Sequence, residues 1–479
     1  MNALASHKST NLLWLSILLL IVLGLAFLLP VTPNDFWWYV RVGSEIMSRG
    51  EIPVVDTLSS TQAGVPVVYH SWLPAVIFWV FYKAGGISLI VLLRGILVGT
   101  AYTLLWFFAR RMGAGVRLSS VLVFVAALSG SNNWAVRPQL FTYVIFLLTL
   151  WVLWDWHQGK NKLLWTFPIL SFLWVNVHGS FVLIFLLGGA ALIFGRGDRR
   201  ALAISLGVGA LATLLNPRGW LAWKYVLDML SAPSNQLFSR EWQPPFNNNW
   251  QMNIFFIWML LFPLFVAVSS WRLDRFAWAL YLIFGVLAFS GLRYVIWEIF
   301  ILVILSAGLL AEFGNRWLDK PGRKSIPTFD YILSVIFVLL SFIFLPNVRS
   351  SIMTGIPQSL VYKDTPVEAA QWLADHPELP GPLWADLAFS SYLVYVLPER
   401  PVWIDTRFEV YPVEQWEKFK AVNLARWDWQ ALLDEAGVNL LMISRVNQPD
   451  LLTALEKSSV WCEVYQDTEA VIFTRCDRQ

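Results

Sequence analysis

The stretch that decides the class of this protein runs from residue 30 to residue 72 and reads PVTPNDFWWYVRVGSEIMSRGEIPVVDTLSSTQAGVPVVYHSW. It follows an apolar run at residues 12–30, and it contains Asp35, Asp56 and His70. Ionisable groups at the mouth of a membrane helix are costly and usually face a polar cavity. The stretch therefore predicts a membrane protein with a functional site at one membrane face.

The composition indicates the same class. Of the 479 residues, 57% are hydrophobic and 14% are charged, whereas soluble domains carry about 25% charged residues. A spanning helix needs about 20 largely apolar residues. Eleven segments meet this test, some only roughly: 12–30, 87–109, 117–135, 138–156, 163–178, 180–195, 200–215, 251–270, 275–291, 294–313 and 328–346. We predict a polytopic α-helical membrane protein with about eleven transmembrane helices.

The positions of Lys and Arg in short loops predict the orientation. Loops such as RRMGAGVR, HQGKNK and RGDRR carry most of the loop cations and are assigned to the cytoplasm. The N-terminus is then cytoplasmic, and the first outer loop (31–86) and the C-terminal tail lie outside the plasma (inner) membrane. This placement of the N-terminus and the tail on opposite sides of the membrane requires that residues 71–83 form an interfacial or re-entrant helix instead of a membrane span. If these 13 residues cross the membrane, the tail moves to the cytoplasm.

The tail differs in character from the rest of the chain. Residues 347–479 contain 19 acidic and 11 basic residues, whereas the preceding part has an excess of bases. The apolar runs PLWADL, RPVWIDT, VNLLMIS and AVIFTR alternate with helical patterns, and WCEVYQDTEAVIFTR is typical of a hairpin. We predict a transmembrane domain at 1–346 and a small extracytoplasmic α/β domain at 347–479. Whether Cys462 and Cys476 pair stays open.

Three residues of the first outer loop are catalytic candidates, and each has a simpler alternative. Asp35 is a candidate base or an N-cap for a following helix. Asp56 is a candidate acid or the centre of an Asx turn. His70 is a proton carrier or an amphipathic anchor. Trp37 and Trp38 are interpreted as interfacial anchors that hold Asp35 at headgroup depth.

Further candidates lie in the other segments assigned to the outer face. Arg137 and Arg293 suit a phosphate group, because guanidinium matches phosphate oxygens; lipid-headgroup snorkelling is the alternative. Four polar residues alternate along the segment WIDTRFEVY: Asp405, Arg407, Glu409 and Tyr411. They either line the acceptor cleft or form an ion pair at the end of a strand. The residues predicted to line the substrate site are Trp38, Tyr69, Asn176, His178, Glu241 and Arg407.

Several motifs together resemble a known family. The motifs that carry the resemblance are NDFWWYVRVGSEIMSRGEIPVVDTLSSTQAG, RPQLFTY, WVNVHGSF, NPRGW and SSYLVYVLPERPVWIDTRFEVY. The chain resembles bacterial integral-membrane glycosyltransferases of the GT-C superfamily, and is distantly similar to protein O-mannosyltransferases and the lipid A aminoarabinose transferase. The resemblance implies a polyprenyl-phosphate-linked sugar donor and inverting hexosyl or pentosyl transfer to a hydroxyl of a glycan, lipid or protein. It also implies that Asp35 is the general base. Membrane lipid is an expected partner and nucleic acid is not.

The chain departs from that family in two places. Asn34 precedes Asp35 at the position where the relatives commonly show an Asp-Glu pair. Either a second acidic residue comes from another part of the chain, with Asp56 as a candidate, or a second acidic residue is not needed. The outer loop SGSNNWAVRP lacks the acids with which some members bind a metal. We therefore expect no metal and no other cofactor. The sugar, the acceptor and the oligomeric state are not identified by the sequence.

Two other functions are compatible with the chain. The first is a transporter or flippase of lipid-linked saccharides, although paired broken helices in matching halves, the usual pointer to an alternating-access site, are not evident. The second is a non-catalytic membrane scaffold whose tail binds glycans.

Overall fold

The computed structural model describes residues 2–33, 35–319, 326–346, 348, 361–362, 365–379, 381–426 and 428–476. Asn34, whose role the sequence leaves open, lies outside the described residues. The protein divides into two compact units. Unit 1 comprises Met1–Leu29, Ser88–Trp220 and Arg240–Gln358; unit 2 comprises Pro30–Ile87, Leu221–Ser239 and Ser359–Gln479. The domain boundary expected at residue 346 stays a prediction.

Helices account for most of the chain before the tail. They are α1 (Asn2–Leu28), α2 (Phe36–Arg49), α3 (Trp72–Arg111), α4 (Val116–Gly130), α5 (Gln139–His157), α6 (Phe167–Val177), α7 (Val182–Phe194), α8 (Arg199–Thr213), α9 (Leu221–Ser231), α10 (Pro233–Phe238), α11 (Trp250–Val268), α12 (Arg275–Ser290), α13 (Val295–Leu309), α14 (Ala311–Trp317) and α15 (Pro327–Ser341).

The predicted spans coincide with helices. Among the described residues, six helical segments are long and apolar enough to cross a membrane: Ser9–Leu28, Trp72–Arg111, Gln139–His157, Trp250–Val268, Leu292–Leu309 and Pro327–Phe344. The other five predicted spans coincide with α4, α6, α7, α8 and α12, which have 11 to 16 residues. The total of eleven crossings stays a prediction.

The segment 71–83, on which the topology depends, precedes a break in α3. Gly85 and Gly86 have non-helical backbone angles, and Gly86 has a φ of 60°. A left-handed φ of this kind is accessible to glycine at little cost. The helix that begins at Trp72 is therefore interrupted before the apolar segment 87–109, as an interfacial or re-entrant helix requires. Whether residues 71–83 cross the membrane stays open.

Unit 1 is held together by buried apolar helices. Every residue of α13 is buried, and Trp297 on this helix packs against Tyr143 and Phe146 of α5 with ring centroids 5.5 and 4.8 Å apart. At the start of the chain, the Ser9 hydroxyl donates to Asp330 Oδ2 at 2.9 Å, which joins α1 to α15. These contacts hold α13 against α5 and α1 against α15.

Unit 2 contains a four-stranded sheet with the order β1-β2-β4-β3. The strands are β1 (Leu383–Ala385), β2 (Leu440–Ser444), β3 (Trp461–Gln466) and β4 (Ala470–Arg475); β1 and β2 are parallel and the other pairs are antiparallel. The tail helices are Val367–Ala374, Leu387–Val396, Val413–Asn423, Trp429–Glu435 and Pro449–Glu456. The predicted small α/β fold and the terminal hairpin are confirmed, and Cys462 and Cys476 form a disulfide.

Parts of the first loop pack closely within unit 2. Gly43 of α2 lies so near α3 that a Cβ atom there would be 2.1 Å from the carbonyl oxygen of Ala75. Any larger residue would separate the two helices. The Ser391 hydroxyl donates to the carbonyl oxygen of Pro33 at 2.5 Å, which connects the helix Leu387–Val396 to the residues just before α2. These contacts define the position of Asp35.

Candidate active site

Asp35 occupies the N-cap position of α2, but its side chain accepts no capping hydrogen bond from that helix. An N-cap aspartate usually accepts a hydrogen bond from the second or third backbone N–H of the helix. The alternative of Asp35 as a side-chain cap is therefore wrong. The half-buried carboxylate contributes instead to the electrostatic environment of Glu409.

The interpretation of Trp37 and Trp38 as interfacial anchors is also wrong. Their side chains are 2% and 8% exposed, so both indoles lie inside the protein. Trp37 contacts Tyr392 and Tyr395, with ring centroids 4.9 and 5.5 Å away. Aromatic packing against the tail helix Leu387–Val396 buries more apolar surface than a headgroup would, and it holds the N-terminal end of α2 beside that helix.

A buried guanidinium joins the first loop to the tail. Arg407 Nη1 is 2.7 Å from Asp56 Oδ1, and Nη2 is 2.5 Å from Asp405 Oδ2. All three side chains are at most 3% exposed. Asp56 also accepts hydrogen bonds from the backbone N–H and the hydroxyl of Ser59, at 3.2 and 2.6 Å. The geometry thus gives Asp56 and Arg407 a structural role, while a catalytic role for Asp56 stays a prediction.

This cluster determines the environment of Tyr69. The Tyr69 hydroxyl accepts a hydrogen bond from Arg407 Nη1 at 3.1 Å. Burial raises the pKa of Tyr69 well above its usual value, although the positive charge of Arg407 opposes the shift. Burial alone would lower the pKa of Arg407, but the Asp405 carboxylate raises it well above its usual range. Tyr69 therefore stays neutral and Arg407 stays charged.

Glu409 belongs to a second polar group in unit 2. The Tyr225 hydroxyl, from α9, donates to Glu409 Oε1 at 2.7 Å. The Tyr225 ring stacks on the His70 imidazole, with centroids 4.2 Å apart and an interplanar angle of 24°. Burial raises the pKa of Glu409, and the negative charge of Asp35 adds to this shift, while the Tyr225 hydrogen bond opposes it. Two carboxyl groups thus influence each other at this site.

One small cavity of about 20 Å³ is lined by Arg407 and Tyr69 of the first polar group and by Glu409, Tyr225 and His70 of the second, together with Trp38. A water molecule needs roughly 10–15 Å³ of such space. The cavity therefore has room for about one oxygen-sized atom, such as a water or a hydroxyl group, and not for a whole sugar. The predicted residues Trp38, Tyr69, His70 and Arg407 are brought together here.

The interpretation of WIDTRFEVY as an extended segment with alternating side chains is wrong. Val402 forms only isolated bridges, and Phe408–Val410 is a 3₁₀ helix. Because the backbone turns there, the polar side chains point to different partners. Arg407 contacts Asp56 and Asp405, whereas Glu409 contacts Tyr225. The expected strand RPVWIDT is accordingly not part of the four-stranded sheet.

Unit 1 brings Arg137, Glu241 and Arg293 into one cluster. Arg137 Nη1 forms an ion pair with Glu241 Oε1. The Arg293 guanidinium lies over the Trp242 ring, 4.5 Å from its centroid. Desolvation alone would raise the pKa of Glu241, but the charges of Arg137 and Arg293 lower it below its usual value. With two guanidinium groups and one carboxylate, this cluster carries a net positive charge, which favours the binding of an anion.

Asn176 and His178 have local structural roles in unit 1. Asn176 Nδ2 donates to the carbonyl oxygen of Phe172 at 2.8 Å, and Asn216 Nδ2 donates to Asn176 Oδ1 at 3.3 Å. His178 Nδ1 accepts from the backbone N–H of Ser180 at 3.0 Å, as a helix cap does. Their lining of a substrate site stays a prediction.

In the part of the chain that the structure describes, no group of three or more His, Cys, Asp or Glu side chains is arranged to hold a metal ion. Metal independence stays a prediction.

Known structures share this architecture, although no protein-family profile and no curated protein sequence matches the chain. The oligosaccharyltransferase AglB of Archaeoglobus fulgidus aligns with a TM-score of 0.60 at 9% identity, over 97% of this chain and 74% of that one. The arabinofuranosyltransferase AftD of Mycobacteria aligns with a TM-score of 0.57 at 16% identity, over 96% and 41%. ArnT of Cupriavidus metallidurans aligns with a TM-score of 0.50 at 17% identity, over 96% and 97%.

The chain has the GT-C fold. The expected fold class, a multi-pass helical membrane protein with a small C-terminal α/β part, is confirmed. Identities of 9 to 17% establish the fold alone.

Two residues of the site, Tyr225 and Glu409, are not among the site residues predicted from the sequence. Tyr225 lies in α9, in a stretch of sequence that carries no motif, so the sequence contained no signal for it. Glu409 is one of the polar residues that alternate along WIDTRFEVY, where an extended segment places it on the same side as Arg407. Only the 3₁₀ turn at Phe408–Val410 directs it to Tyr225.

Proposed function

We propose that this protein is a glycosyltransferase that moves a hexose or pentose from a polyprenyl-phosphate donor to an acceptor hydroxyl. One observation carries the proposal: on a chain with the GT-C fold, Asp35 stands at the start of α2 without acting as its cap, and its charge acts on Glu409. The structures of AglB and ArnT contain dolichol-phosphate and undecaprenyl phosphate, respectively. A polyprenyl-phosphate donor is accordingly the carrier class that we propose here.

In the proposed reaction Asp35 is the general base. Its carboxylate removes the proton of the acceptor hydroxyl while the oxygen attacks the anomeric carbon of the donor. The bond between that carbon and the phosphate oxygen breaks, and the polyprenyl phosphate leaves with the electron pair, so the anomeric configuration inverts. A positioned general base typically contributes about 10²- to 10⁴-fold to the rate.

Arg137 and Arg293 are the proposed phosphate-binding residues. A departing phosphate gains negative charge, and preorganised guanidinium groups stabilise such charge. Glu241 holds Arg137 through an ion pair, and Trp242 supports Arg293 from one side. The excess of positive charge in this cluster is the support for the assignment.

The proposed location is the plasma (inner) membrane, with the N-terminus in the cytoplasm and the tail outside. The Lys and Arg distribution in the short loops supports this orientation. The disulfide between Cys462 and Cys476 also supports it, because disulfides persist in oxidising compartments outside the cytoplasm.

The test is the substitution Asp35→Asn in the full-length protein. Purified wild-type and variant proteins are incubated with a panel of polyprenyl-phosphate sugars and hydroxyl acceptors, and the glycosylated product is measured. We expect at least about a 100-fold lower rate for the variant, with donor binding retained. Asp375→Asn, which changes an exposed carboxylate of the same unit, is the matched control. Wild-type turnover by the Asp35 variant would rule out the base assignment.

A further inference from the structure

Unit 1 contains a cavity of about 550 Å³ that plays no part in the proposed reaction. It lies where three helices end. Arg111 is the last residue of α3, His157 is the last residue of α5 and Leu309 is the last residue of α13, and all three line the cavity. Sites for small ligands typically have volumes of roughly 300–1,000 Å³. This cavity is therefore large enough for a ligand group, unlike the cavity in unit 2.

Two of these helices begin beside the arginines that we assign to the donor phosphate. Arg137 lies two residues before α5, and Arg293 lies two residues before α13. The 19 residues of α5 extend over about 28 Å at 1.5 Å per residue, which matches the roughly 30 Å of a bilayer's hydrocarbon core. The cavity thus lies at the opposite membrane face from Arg137 and Arg293, at the depth of the lipid head groups of the other leaflet.

Arg111 carries a hydrogen-bond donor that its protein contacts do not use. Its Nη2 donates to Asp155 Oδ1 at 2.5 Å, and its guanidinium lies over the Trp151 ring, 4.7 Å from the centroid. These contacts hold the group in place, while Nη1 is buried and has no hydrogen-bond partner among the described residues. A buried donor without an acceptor destabilises the fold. Because guanidinium matches phosphate oxygens, a phosphate group in the cavity would supply the acceptor.

A second cation and a carboxylate with free capacity line the same cavity. The Arg196 side chain is 72% exposed, and its Nη2 is 3.9 Å from Asp274 Oδ2, which is too far for a hydrogen bond. Glu312 is exposed, and its Oε2 accepts a hydrogen bond from the Ser270 hydroxyl at 2.6 Å. An ionised carboxylate offers about four acceptor positions. Arg196 can therefore add a contact to an anion, and Glu312 can accept further hydrogen bonds.

The charges that line the cavity balance one another. Asp274 Oδ2 is 2.5 Å from His157 Nε2. His157 Nδ1 accepts from the backbone N–H of Arg196, and an imidazole that accepts at one nitrogen is neutral. Two guanidinium groups, of Arg111 and Arg196, therefore face two carboxylates, of Asp274 and Glu312. A simple anion would meet the carboxylates and a simple cation would meet the guanidinium groups. A ligand that carries both charges suits this cavity.

We propose that the cavity binds the head group of a zwitterionic phospholipid with a primary ammonium group, of the phosphatidylethanolamine class. Arg111 and Arg196 bind the phosphate, and Glu312 accepts hydrogen bonds from the ammonium group. Basic pockets between transmembrane helices bind anionic head groups, whereas the two carboxylates here favour a head group without net charge. The inference goes beyond the proposed transfer, because the site lies at the other membrane face and binds a lipid that is not the sugar donor.

The experiment measures lipid binding to the full-length protein in detergent by native mass spectrometry. Three lipids with identical acyl chains are titrated. Phosphatidylethanolamine has ammonium N–H donors, phosphatidylcholine has a quaternary ammonium without N–H, and phosphatidylglycerol has no ammonium group. We expect the wild type to bind phosphatidylethanolamine at least about tenfold more tightly than either of the others, because only this lipid makes a charge-assisted hydrogen bond to Glu312.

Three variants assign the preference to residues. Glu312→Gln keeps the shape but removes the charge, and it should bring phosphatidylethanolamine and phosphatidylglycerol to within about threefold of each other. Arg196→Gln should weaken the binding of all three lipids by about three- to tenfold, because each contains a phosphate. Arg272→Gln changes an exposed arginine that does not line the cavity and should leave all three affinities unchanged.

Glycerophosphoethanolamine separates a membrane lipid from a soluble ligand. It has the same head group without acyl chains, so it should compete at least about tenfold more weakly than the lipid. Competition as strong as that of the lipid would overturn the assignment to a membrane lipid. Equal affinity of the wild type for the three lipids, a preference for phosphatidylglycerol, or an unchanged preference in Glu312→Gln would overturn recognition of the ammonium group. Binding is measured without turnover, so these results do not depend on the proposed transfer.

Discussion

The buried Arg407 makes a strong prediction about stability. Replacing it by methionine removes the cation between Asp56 and Asp405, which are both completely buried as side chains. Removing one partner of a buried ion pair costs about 3–5 kcal/mol, because the remaining charge is left without compensation. Here two carboxylates lose their partner, and Tyr69 loses its hydrogen-bond donor. We therefore expect the upper part of this range.

The measurement is thermal unfolding of the detergent-solubilised protein, followed by tryptophan fluorescence at one scan rate. For a cooperative unit of roughly 150–250 residues, 1 kcal/mol shifts the Tm by about 2–4 °C. Arg407→Met should thus lower the transition of unit 2 by about 10–20 °C. Arg426→Met, at an exposed arginine of the same unit, should change it little.

A triple variant separates loss of charge compensation from loss of packing. Combining Arg407→Met with Asp56→Asn and Asp405→Asn removes all three charges, and replacing a whole buried ion cluster is often close to neutral. The triple variant should therefore recover most of the lost Tm. A decrease of less than about 2 °C for Arg407→Met, or no recovery in the triple variant, would contradict the role assigned to this cluster.

Two further predictions concern Glu409 and the arginines of unit 1. Because folding raises the pKa of Glu409, ionisation of this carboxyl group destabilises the folded state as the pH rises above the usual glutamate pKa of about 4.3. Glu409→Gln should therefore gain stability relative to the wild type as the pH rises towards neutral, and a pH-independent difference in Tm would contradict the raised pKa. Arg293→Ala should raise the KM for the lipid-linked donor by about tenfold or more, since a charge-assisted hydrogen bond contributes about 1.5–3 kcal/mol. Arg272→Ala, an exposed change elsewhere in unit 1, is its control; an unchanged KM in Arg293→Ala would rule out phosphate binding by that residue.

Much of the fold was predictable because its signals are local. Long apolar segments such as 138–156 specify helices by composition alone, and α5 extends over Gln139–His157. The hairpin of β3 and β4 follows from two short runs rich in apolar residues, WCEVYQ and AVIFTR, that are joined by a short polar turn. The importance of Asp35 was also visible locally, since a carboxylate beside an apolar segment is costly. Its failure to cap α2 was not, because capping depends on side-chain geometry that Asp35 adopts only in the folded chain.

The sequence by itself determined the membrane class, the helical segments, the α/β tail and the candidate acid Asp35. Only the tertiary structure decided which of the charged residues neutralise one another. Asp56 and Arg407 are separated by hundreds of residues, yet they form a buried ion pair, whereas Glu409, two residues from Arg407, contacts Tyr225 instead. Long-range electrostatic pairing depends on distances of a few ångströms between distant segments. Such distances are set by packing, which residue type and local periodicity do not encode.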